Sequence, residues 1–584
     1  STAQIEALCA QINPGAVADI PTGVGFCMYI RRDCLAHVGL FDIENFGQGY
    51  GEENDFCQRA ALAGWRNLHA LDTFVRHTGG VSFGDSKNPR EKAAQAILQR
   101  LHPDYETTVQ AFVAQDPAKP YRHALDLARL RAIPLPRVLT VLHNAGGGTR
   151  RHAEELVAYL AKQIVSFSLV PLPDHFVHLQ WEAPNESLQL HYHWPTQSDA
   201  LLTMLRDIGI SHVHYHHLLG VDPEIMLIPQ QLGITYDFTA HDYYTACPQI
   251  ALVDTHHNYC GEQGLAQCTA CLAQRPAPTG ESIEDWRLRH RLFVHNARYL
   301  LTPSSDAAQR LQRYFPTANL RFAPHLDMAT DATVPQPHPR RLSTEAHLRI
   351  LVIGAVNEVK GADILEATAL QAARTSAPLE FHLVGYAHRL LQTQPHASLT
   401  VHGAYADSDL PRLLERLRPD IVWFPARWPE TYSYTLSASL QAGLPVIAPD
   451  LGAFPERLAG RPWSWVVRWD MSAAECLDLF LTLREQHFAT CQPPQPAAQA
   501  GNAAASDWHY RHDYLAGVPH AAQTEPLPIP FIKEHLRVPA GATSGAKSLL
   551  LSGVVRLRSH PLLRGVAQRV PQHWQTRVKN WLRA

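Results

Sequence analysis

The chain lacks a strong charge of either sign and lacks long apolar runs. Its 51 Lys and Arg residues nearly balance 54 Asp and Glu residues, so the formal net charge is only −3. A near-neutral chain has no overall signature of polyanion binding, and we expect no nucleic-acid partner. No run of 18 or more apolar residues and no secretory signal is found, which predicts no membrane-spanning helix.

Cysteine is also scarce, and the ten present do not follow the even spacing of a disulfide scaffold. We therefore expect a reducing, cytoplasmic compartment. One short segment nevertheless holds four of them, namely Cys247, Cys260, Cys268 and Cys271. Four thiolates in a loop suit a tetrahedral structural zinc ion, with His256 or His257 as substitute ligands. Because the upstream spacing is not a standard C-x2-C pair, buried free cysteines or one disulfide remain alternatives.

The length of 584 residues is too great for one core and predicts about three to four domains. Residues 1–130 have a mixed α/β pattern. In residues 137–326 and 342–490, apolar runs alternate with helical patterns, which indicates parallel sheets covered on both faces. Two such blocks joined by a linker predict two Rossmann-like domains that face each other across a cleft. Residues 491–584 contain a Pro- and Ala-rich linker, a further helix and a basic tail.

The predicted strands are apolar runs between the helical patterns. Those of residues 137–326 are 138–142, 164–172, 188–194, 211–215, 234–239 and 299–302, and those of residues 342–490 are 349–353, 379–384, 399–401, 420–424 and 445–448.

The tail from His535 to Ala584 contains basic residues and no acidic residue. Its apolar faces are typical of a helix that lies on a membrane surface. A basic tail that packs on the protein or stays disordered is the alternative, because amphipathic patterns alone discriminate poorly. The first interpretation predicts peripheral contact with the inner face of the membrane.

The segment from Pro429 to Val446 is the most informative stretch of the chain. It reads as a loop, a helix start, a helix, a glycine stop and a buried strand. Glu430 lies just before the helix start, where unpaired N–H groups and a partial positive charge favour a phosphate. Upstream, Lys360 follows a strand and a tight turn at Gly354, which is a plausible cradle for a diphosphate.

These motifs resemble family 4 glycosyltransferases, which are retaining, nucleotide-sugar-dependent enzymes with a GT-B fold. The resemblance covers about residues 137–490 and implies a nucleotide sugar as the donor substrate. It implies that Lys360 neutralises the diphosphate and that Glu430 binds hydroxyls of the donor sugar. It further implies donor contacts from a set of residues around the helix start, which are Ser433, Tyr434, Thr435 and Glu456.

The chain departs from the family pattern at two positions. The second glutamate of the E-x7-E signature, which usually binds the nucleotide ribose, is replaced by Ala438, and the usual arginine before Lys360 is missing. Loss of one charge-assisted hydrogen bond costs on the order of 1.5–3 kcal/mol, or about tenfold to a hundredfold in affinity. A catalytically weakened, glycan-binding or scaffold protein is therefore the alternative function.

Two motifs of residues 137–326 belong to the same predicted cleft. Gly147 and Gly148 lie in a glycine run at a strand-to-helix turn, where a ligand can approach the backbone closely. His241 follows a strand end and can hold a sugar hydroxyl. Asp242 either fixes the tautomer of His241 or caps the next helix.

Residues 1–130 resemble the acceptor half of a family 2, GT-A-type glycosyltransferase. The match runs from Pro21, through a predicted buried strand at 20–30 and an acidic motif, to His77. It implies that Glu53 is the general base of an inverting transfer and that His77 is a metal ligand. The nucleotide-binding half would precede Ser1, so we expect Mn²⁺ or Mg²⁺ only together with that half.

Together, these resemblances predict a bifunctional enzyme of polysaccharide biosynthesis. A partial inverting GT-A region precedes a retaining GT-B module, and the two would build two linkages of one cell-surface glycan of the O-antigen type. The acceptor is expected to be a glycan or a lipid-linked glycan.

Overall fold

The computed structural model describes residues 1–47, 51–77, 87–183, 186–328, 334–494, 506, 508–520 and 527–536. The described residues form a small N-terminal region and two α/β units with large sheets. The basic tail predicted to contact a membrane lies outside the described residues, apart from its start at His535 and Leu536.

The N-terminal region is mainly helical. Its helices are α1 (Thr2–Ile12), α2 (Arg32–Val38), α3 (Ile43–Phe46), α4 (Glu52–Leu62), α5 (Lys87–Leu101), α6 (Tyr105–Gln115) and α7 (Lys119–Ala132). Two short strands, β1 (Val17–Asp19) and β2 (Leu68–Ala70), pair antiparallel. Three small apolar clusters support this region rather than one continuous core.

The buried strand predicted at residues 20–30 is wrong. Only a 3₁₀ turn, Gly25–Cys27, forms there, and most of these side chains are exposed or half-buried. A strand is stable only when its N–H and C=O groups find partners on a neighbouring strand. Among the described residues of this region, the only strand pair is β1 with β2, three residues long.

The first large sheet has eight strands. They are β3 (Arg137–Val141), β4 (Val165–Pro171), β5 (Phe176–Ala183), β6 (Glu186–His193), β7 (His212–Tyr215), β8 (Thr235–Thr239), β9 (Tyr299–Thr302) and β10 (Leu320–Phe322). The order across the sheet is β10-β9-β8-β7-β3-β4-β5-β6. Strands β3, β4 and β7 to β10 are parallel, whereas β4, β5 and β6 form an antiparallel meander.

Helices connect the parallel strands of this sheet. They are α8 (Gly148–Tyr159), α9 (Ser198–Ile208), α10 (Ile228–Leu232), α11 (Leu265–Gln274), α12 (Ile283–Asn296) and α13 (Ser305–Tyr314). The antiparallel meander departs from the predicted all-parallel sheet, because β5 and β6 pair antiparallel with only two residues between them, too few for a crossover helix.

The second large sheet has six strands, all parallel. They are β11 (Leu348–Val356), β12 (Leu379–Ala387), β13 (Leu399–Gly403), β14 (Ile421–Trp423), β15 (Val446–Pro449) and β16 (Ser464–Val467), in the order β13-β12-β11-β14-β15-β16. The helices are α14 (Ala362–Arg374), α15 (Leu410–Leu417), α16 (Tyr434–Gln441), α17 (Phe454–Leu458) and α18 (Ala473–Leu483), followed by a π-helical segment at Arg484–Phe488.

After this sheet the chain returns to the first one. A π-helical segment, Tyr510–Tyr514, packs below the first sheet, where Arg298 donates to the carbonyls of Tyr514 and Ala516. The last described helix, α19 (Ile529–Glu534), packs against α7. A backbone hydrogen bond of 2.8 Å from His191 to the carbonyl of His535 ties the segment after α19 to β6.

The predicted fold class of two facing Rossmann-like units is confirmed. Every predicted strand of the two units overlaps an observed strand, while β5, β10 and β16 were not predicted. One apolar cluster contains residues of both units, so the two sheets share packing across their interface. Among the described residues, none of the helices combines the length and the apolar character needed to cross a membrane.

Candidate functional site

A cleft of about 1160 Å³ lies between the glycine loop after β3 and helix α16. Four of the residues predicted to bind the donor line it, namely Gly147, Gly148, Tyr434 and Thr435. Ala438, which replaces the second glutamate of the family signature, lines it as well. The cleft therefore joins the carboxyl edge of the first sheet to a helix of the second, which is where open α/β folds bind ligands.

The Tyr434 ring closes one end of this cleft. Its hydroxyl donates to Glu155 at 2.9 Å, and the Arg151 guanidinium stacks 4.3 Å from its ring centre. A Cβ on Gly148 would lie 3.3 Å from the same ring, so a glycine here allows the close approach of loop and tyrosine. Arg151 also pairs with Glu155 at 2.8 Å and brings positive charge to the cleft.

Helix α16 begins within the site. Ser433 is its N-cap, with a left-handed φ of 74°, and the Ser433 hydroxyl accepts the N–H of Leu436 at 3.3 Å. The other first-turn amides belong to Tyr434 and Thr435, whose side chains line the cleft. A helix start of this kind is an electropositive site suited to a phosphate.

Lys360 and Glu430 lie beside one another. The Lys360 ammonium is 3.4 Å from a Glu430 carboxylate oxygen, and Trp428 donates its indole N–H to the same oxygen at 3.1 Å. The Glu430 backbone packs against Gly452, where a Cβ would come within 2.4 Å of the Glu430 carbonyl oxygen. The structure thus brings together the two residues that were predicted to bind the diphosphate and the sugar. Neither of them is among the residues that line the cleft beside Tyr434.

His241 joins the two units at the next position. The Thr431 hydroxyl, one residue after Glu430, donates to the His241 carbonyl oxygen at 2.5 Å. The ring of His241 reaches the ring of His216, with His216 Nδ1 and His241 Nε2 3.2 Å apart. The main chain of His241 is therefore held against the segment that carries Glu430.

His241 belongs to a cluster of histidines whose other members are buried. The members, called the histidine cluster below, are His152, His214, His216, His241 and His325. Burial lowers the pKa of His152 to about 3, and burial together with the neighbouring imidazoles lowers the pKa values of the others well below the usual range. These rings are therefore neutral near pH 7.

Asp242 orients a different histidine from the one predicted. One Asp242 carboxylate oxygen lies 2.7 Å from Nε2 of His217, and the other accepts the N–H of Tyr244 at 2.9 Å. Asp242 therefore binds His217 rather than His241, contrary to the hypothesis that it fixes the tautomer of His241. Parallel pairing of β7 with β8 causes this, because it sets His217 beside Asp242 at the two strand ends.

Glu456 is engaged across the interface between the two units. Its carboxylate accepts the backbone N–H groups of Ser305 and Asp306, each at 3.0 Å, and the Ser305 hydroxyl. It therefore caps the start of α13 in the first unit, and burial raises its pKa. In this arrangement the carboxylate is occupied by protein groups rather than open to a donor.

The four cysteines of the predicted zinc site lie on one segment between β8 and α12 and are free thiols. Burial raises the pKa of Cys247 to about 12 and raises those of Cys260 and Cys271. Cys268 accepts a hydrogen bond from Arg287 at 3.4 Å. Among the described residues, no three of these sulfur atoms come within 4.8 Å of one another.

The acidic motif of the N-terminal region starts α4. Glu53 is half-buried and lines a separate pocket with His102 and Tyr105. Asp55 is buried in bonds to Arg59 and to His102, each at 2.8 Å. His77 does not close a strand as predicted. It lies in an irregular segment seven residues after the end of β2 and stacks on Phe26 at 4.4 Å.

Several residues of the site were missed by sequence reasoning. Arg151 and Glu155 lie in an ordinary-looking helix, and only packing against Tyr434 gives them a place in the cleft. Arg427 donates to Asn258 at 2.7 Å, and its N–H binds the carbonyl of Val359, next to Lys360. The histidine cluster did leave a signal, because histidines alternate along β7 and its end at positions 212, 214 and 216.

Comparison with known proteins identifies part of the chain. Residues 347–479 match the family model described as Glycosyl transferases group 1. This segment contains all six strands of the second sheet, Lys360, Glu430 and α16. The prediction of a glycosyltransferase is thereby confirmed for this part of the chain.

Solved structures that are similar to this chain include the following three proteins. HepE from Anabaena in complex with UDP is 12% identical, with a TM-score of 0.37, over 61% of this chain and 92% of its own. Sucrose-phosphate synthase from Thermosynechococcus elongatus is 14% identical, with a TM-score of 0.38, over 61% and 91%. The pneumococcal O-GlcNAc transferase GtfA, in complex with UDP and GlcNAc, is 9% identical, with a TM-score of 0.35, over 61% and 93%. A search of curated proteins finds no match.

We predict that Glu456→Ala loosens the start of α13. Amide hydrogen exchange at Ser305 and Asp306 should rise, because each amide loses a charge-assisted bond that contributes on the order of 1.5–3 kcal/mol. Glu475→Ala is the matched control, since Glu475 caps only its own helix through Ser472. Unchanged exchange at α13 together with weakened nucleotide binding would instead assign Glu456 to the donor.

Proposed function

We propose that this chain, whose residues 347–479 form a group 1 glycosyltransferase domain, transfers a sugar from a nucleotide-sugar donor to a glycan acceptor. The observation that carries the proposal is the cleft beside α16. Gly147 and Gly148 of one unit and Tyr434, Thr435 and the Ala438 position of the other line a single space. The start of a helix and the positive charge of Arg151 face a ligand there, as a diphosphate requires.

The donor sugar would lie towards Glu430 and His241. The Thr431–His241 bond holds the segment of Glu430 against that of His241 across the interface, and the Lys360 ammonium lies beside Glu430. Glu430, paired and mostly buried, is a strong acceptor for sugar hydroxyls. Lys360 is half-exposed and only 3.4 Å from Glu430, so it can turn to a diphosphate when one is present.

Catalysis in this proposal rests on position and electrostatics. The start of α16 and Lys360 stabilise the charge that develops on the leaving diphosphate. Transfer would proceed with retention of the anomeric configuration, and the leaving diphosphate itself would collect the acceptor proton. The neutral His241 ring would position a sugar hydroxyl through a hydrogen bond, since burial disfavours its protonation.

We predict that Glu430→Gln lowers sugar transfer by about tenfold to a hundredfold, because one charge-assisted hydrogen bond to the sugar is lost. Affinity for the free nucleoside diphosphate should change by less than about threefold, since Glu430 contacts the sugar. A screen of nucleotide sugars measures the first quantity and calorimetry with UDP, GDP and ADP the second.

Glu485→Gln is the control for this experiment, because Glu485 is exposed on the π-helical segment that follows α18. Transfer that persists at the wild-type rate in Glu430→Gln would contradict the assignment of the donor site. The anomeric configuration of the product, read by NMR, tests retention separately.

A binding-only protein is the second candidate function, and the position of Ala438 favours it. Ala438 lines the cleft one turn into α16, where the family signature has the carboxylate that binds the ribose. Its methyl group cannot accept a hydrogen bond, so nucleotide recognition is weakened there.

We predict that Ala438→Glu tightens nucleoside diphosphate binding by about tenfold to a hundredfold, the worth of one charge-assisted bond to the ribose. Ala442→Glu, one turn further along the lining of the cleft, is the control and should not tighten binding. Calorimetry measures both. If the wild-type chain binds no nucleotide and Ala438→Glu restores binding, the binding-only function is supported over transfer.

The acceptor in this proposal is a lipid-linked glycan of the cell surface. Residues 1–130 would act as the acceptor half of a second, inverting module, with Glu53 as its base. Glu53 lines a pocket with Asn54 and Tyr105, which leaves its carboxylate access to an acceptor hydroxyl. Linkage composition of the product distinguishes one module from two.

The basic tail would hold the protein at the membrane that carries this acceptor. Its residues from 537 onward lie outside the described part, and the support comes from their composition. We predict that deletion of residues 537–584 reduces sedimentation with vesicles of anionic lipid, because the basic residues lose attraction to the lipid charge. Sedimentation equal to that of the full chain would contradict membrane contact.

A structural zinc ion at the four cysteines is also part of the proposal. Cys247, Cys260 and Cys271 are partly buried, and burial raises the pKa of each thiol. A zinc ion would deprotonate them and staple the segment between β8 and α12. Four-cysteine binding requires the sulfur atoms to draw closer than they lie here.

A further inference from the structure

Three histidines meet at the carboxyl edge of the first sheet. His152 projects from α8, His216 follows β7 and His241 follows β8. One ring nitrogen from each lies within 4.8 Å of the others, and the described residues contain no other such group of three potential metal ligands. Within the group, His216 Nδ1 and His241 Nε2 are 3.2 Å apart. Residues far apart in the chain are therefore placed as a cluster of imidazole nitrogens.

His152 is a buried histidine whose ring nitrogens lack polar partners among the described residues. Its side chain is 0% exposed, and among the described residues neither of its ring nitrogens has a hydrogen-bond partner. Its ring contacts are other rings, namely those of His216, His241, His325 and Tyr510. The Nδ1 of His325 is also buried without a partner. A buried polar group of this kind indicates an unseen water or ion.

We propose that His152, His216 and His241 bind a divalent transition-metal ion such as Zn²⁺. Zinc–nitrogen bonds of about 2.0–2.1 Å in a tetrahedral site place the ligand nitrogens about 3.4 Å apart. His216 Nδ1 and His241 Nε2 share a hydrogen bond at 3.2 Å, close to this spacing, and a metal ion would replace the shared proton. One ring nitrogen of each of the three residues lies within 4.8 Å of the others, so small shifts of the rings would complete the set.

The surroundings favour a metal over the other ligands that histidines bind. An anion would require protonated rings, which burial disfavours. Imidazole nitrogen, by contrast, suits Zn²⁺, Cu²⁺ and Ni²⁺ in its neutral form. His241 is only partly buried, so an ion can enter from the side of the interface that Thr431 and Glu430 occupy.

Outer contacts hold the cluster in place. His214 packs 4.0 Å from His216 between ring centres and is itself bound at 2.8 Å to Thr239 and at 2.9 Å to Tyr514. His325 lies 4.0 Å from His152 and stacks on Tyr434 at 5.3 Å. Partners of this kind orient ligands in metal sites. A metal ion at this site would stabilise the start of α16 through the contact between His325 and Tyr434. This effect does not depend on the reaction that the cleft carries out.

The test is a metal analysis of the full chain, prepared without a histidine tag. The protein is loaded with Zn²⁺, dialysed, and measured for bound zinc per chain by mass spectrometry. We expect His152→Phe to bind one zinc fewer than the wild type, because phenylalanine fills the same space and cannot ligate. The affinity of this site should fall by more than the about 10–100-fold that loss of an outer partner costs.

His295→Ala is the control, since His295 is exposed and its Nδ1 pairs with the Thr317 hydroxyl at 3.1 Å. Substitution with Co²⁺ separates this site from the cysteine segment, because thiolate-to-metal bands belong to the cysteines and should survive in His152→Phe. Equal zinc content in wild type and His152→Phe, or no bound zinc in the wild type, overturns the proposal. Circular dichroism shows that the variant is folded, and His241→Phe gives an independent second variant at the same site.

Discussion

The hydrogen bond from Thr431 to the main-chain carbonyl of His241 joins the two halves of the molecule at the point where they meet. It fixes the loop that carries Glu430 against the strand end that carries His241. Glu456, bound to the start of α13, adds a second contact across the same interface. Because both sheets end at this interface, their glycine loop, helix start and histidines face one space.

Burial of neutral histidines is the second constraint on this structure. A polar group without a partner inside a protein costs about 1–3 kcal/mol, and His152 has two such nitrogens. Other polar groups nearby are well satisfied, since His212 bonds Thr235 and Asp237, and His214 bonds Thr239. The unpartnered nitrogens of His152 therefore stand out among these groups. They lie near the interface end of β7, close to the segment that carries the candidate donor residues.

Much of the fold could be predicted from the sequence, because buried parallel strands are continuous apolar runs that helices separate. The strands at the edges, β10 and β16, were missed because they are short, and β5 because it alternates within a meander. The prediction of a strand at residues 20–30 was wrong for a different reason. Its apolar pattern was suitable, but the described residues offer it no neighbouring strand with which to form a sheet.

The candidate site, like the fold, has features that the sequence predicts and features that only the tertiary structure shows. The sequence by itself determined the loop and helix from Pro429 to Val446, the placement of Lys360 and Glu430 in one unit, and the loss of a carboxylate at Ala438. Only the tertiary structure decided that Tyr434 meets Glu155, that Glu456 caps α13, and that His152 lies beside His216 and His241. Local patterns follow from the period of helices and strands, whereas these contacts join residues far apart in the chain. They depend on how two sheets and their helices pack, and no short stretch of sequence contains that information.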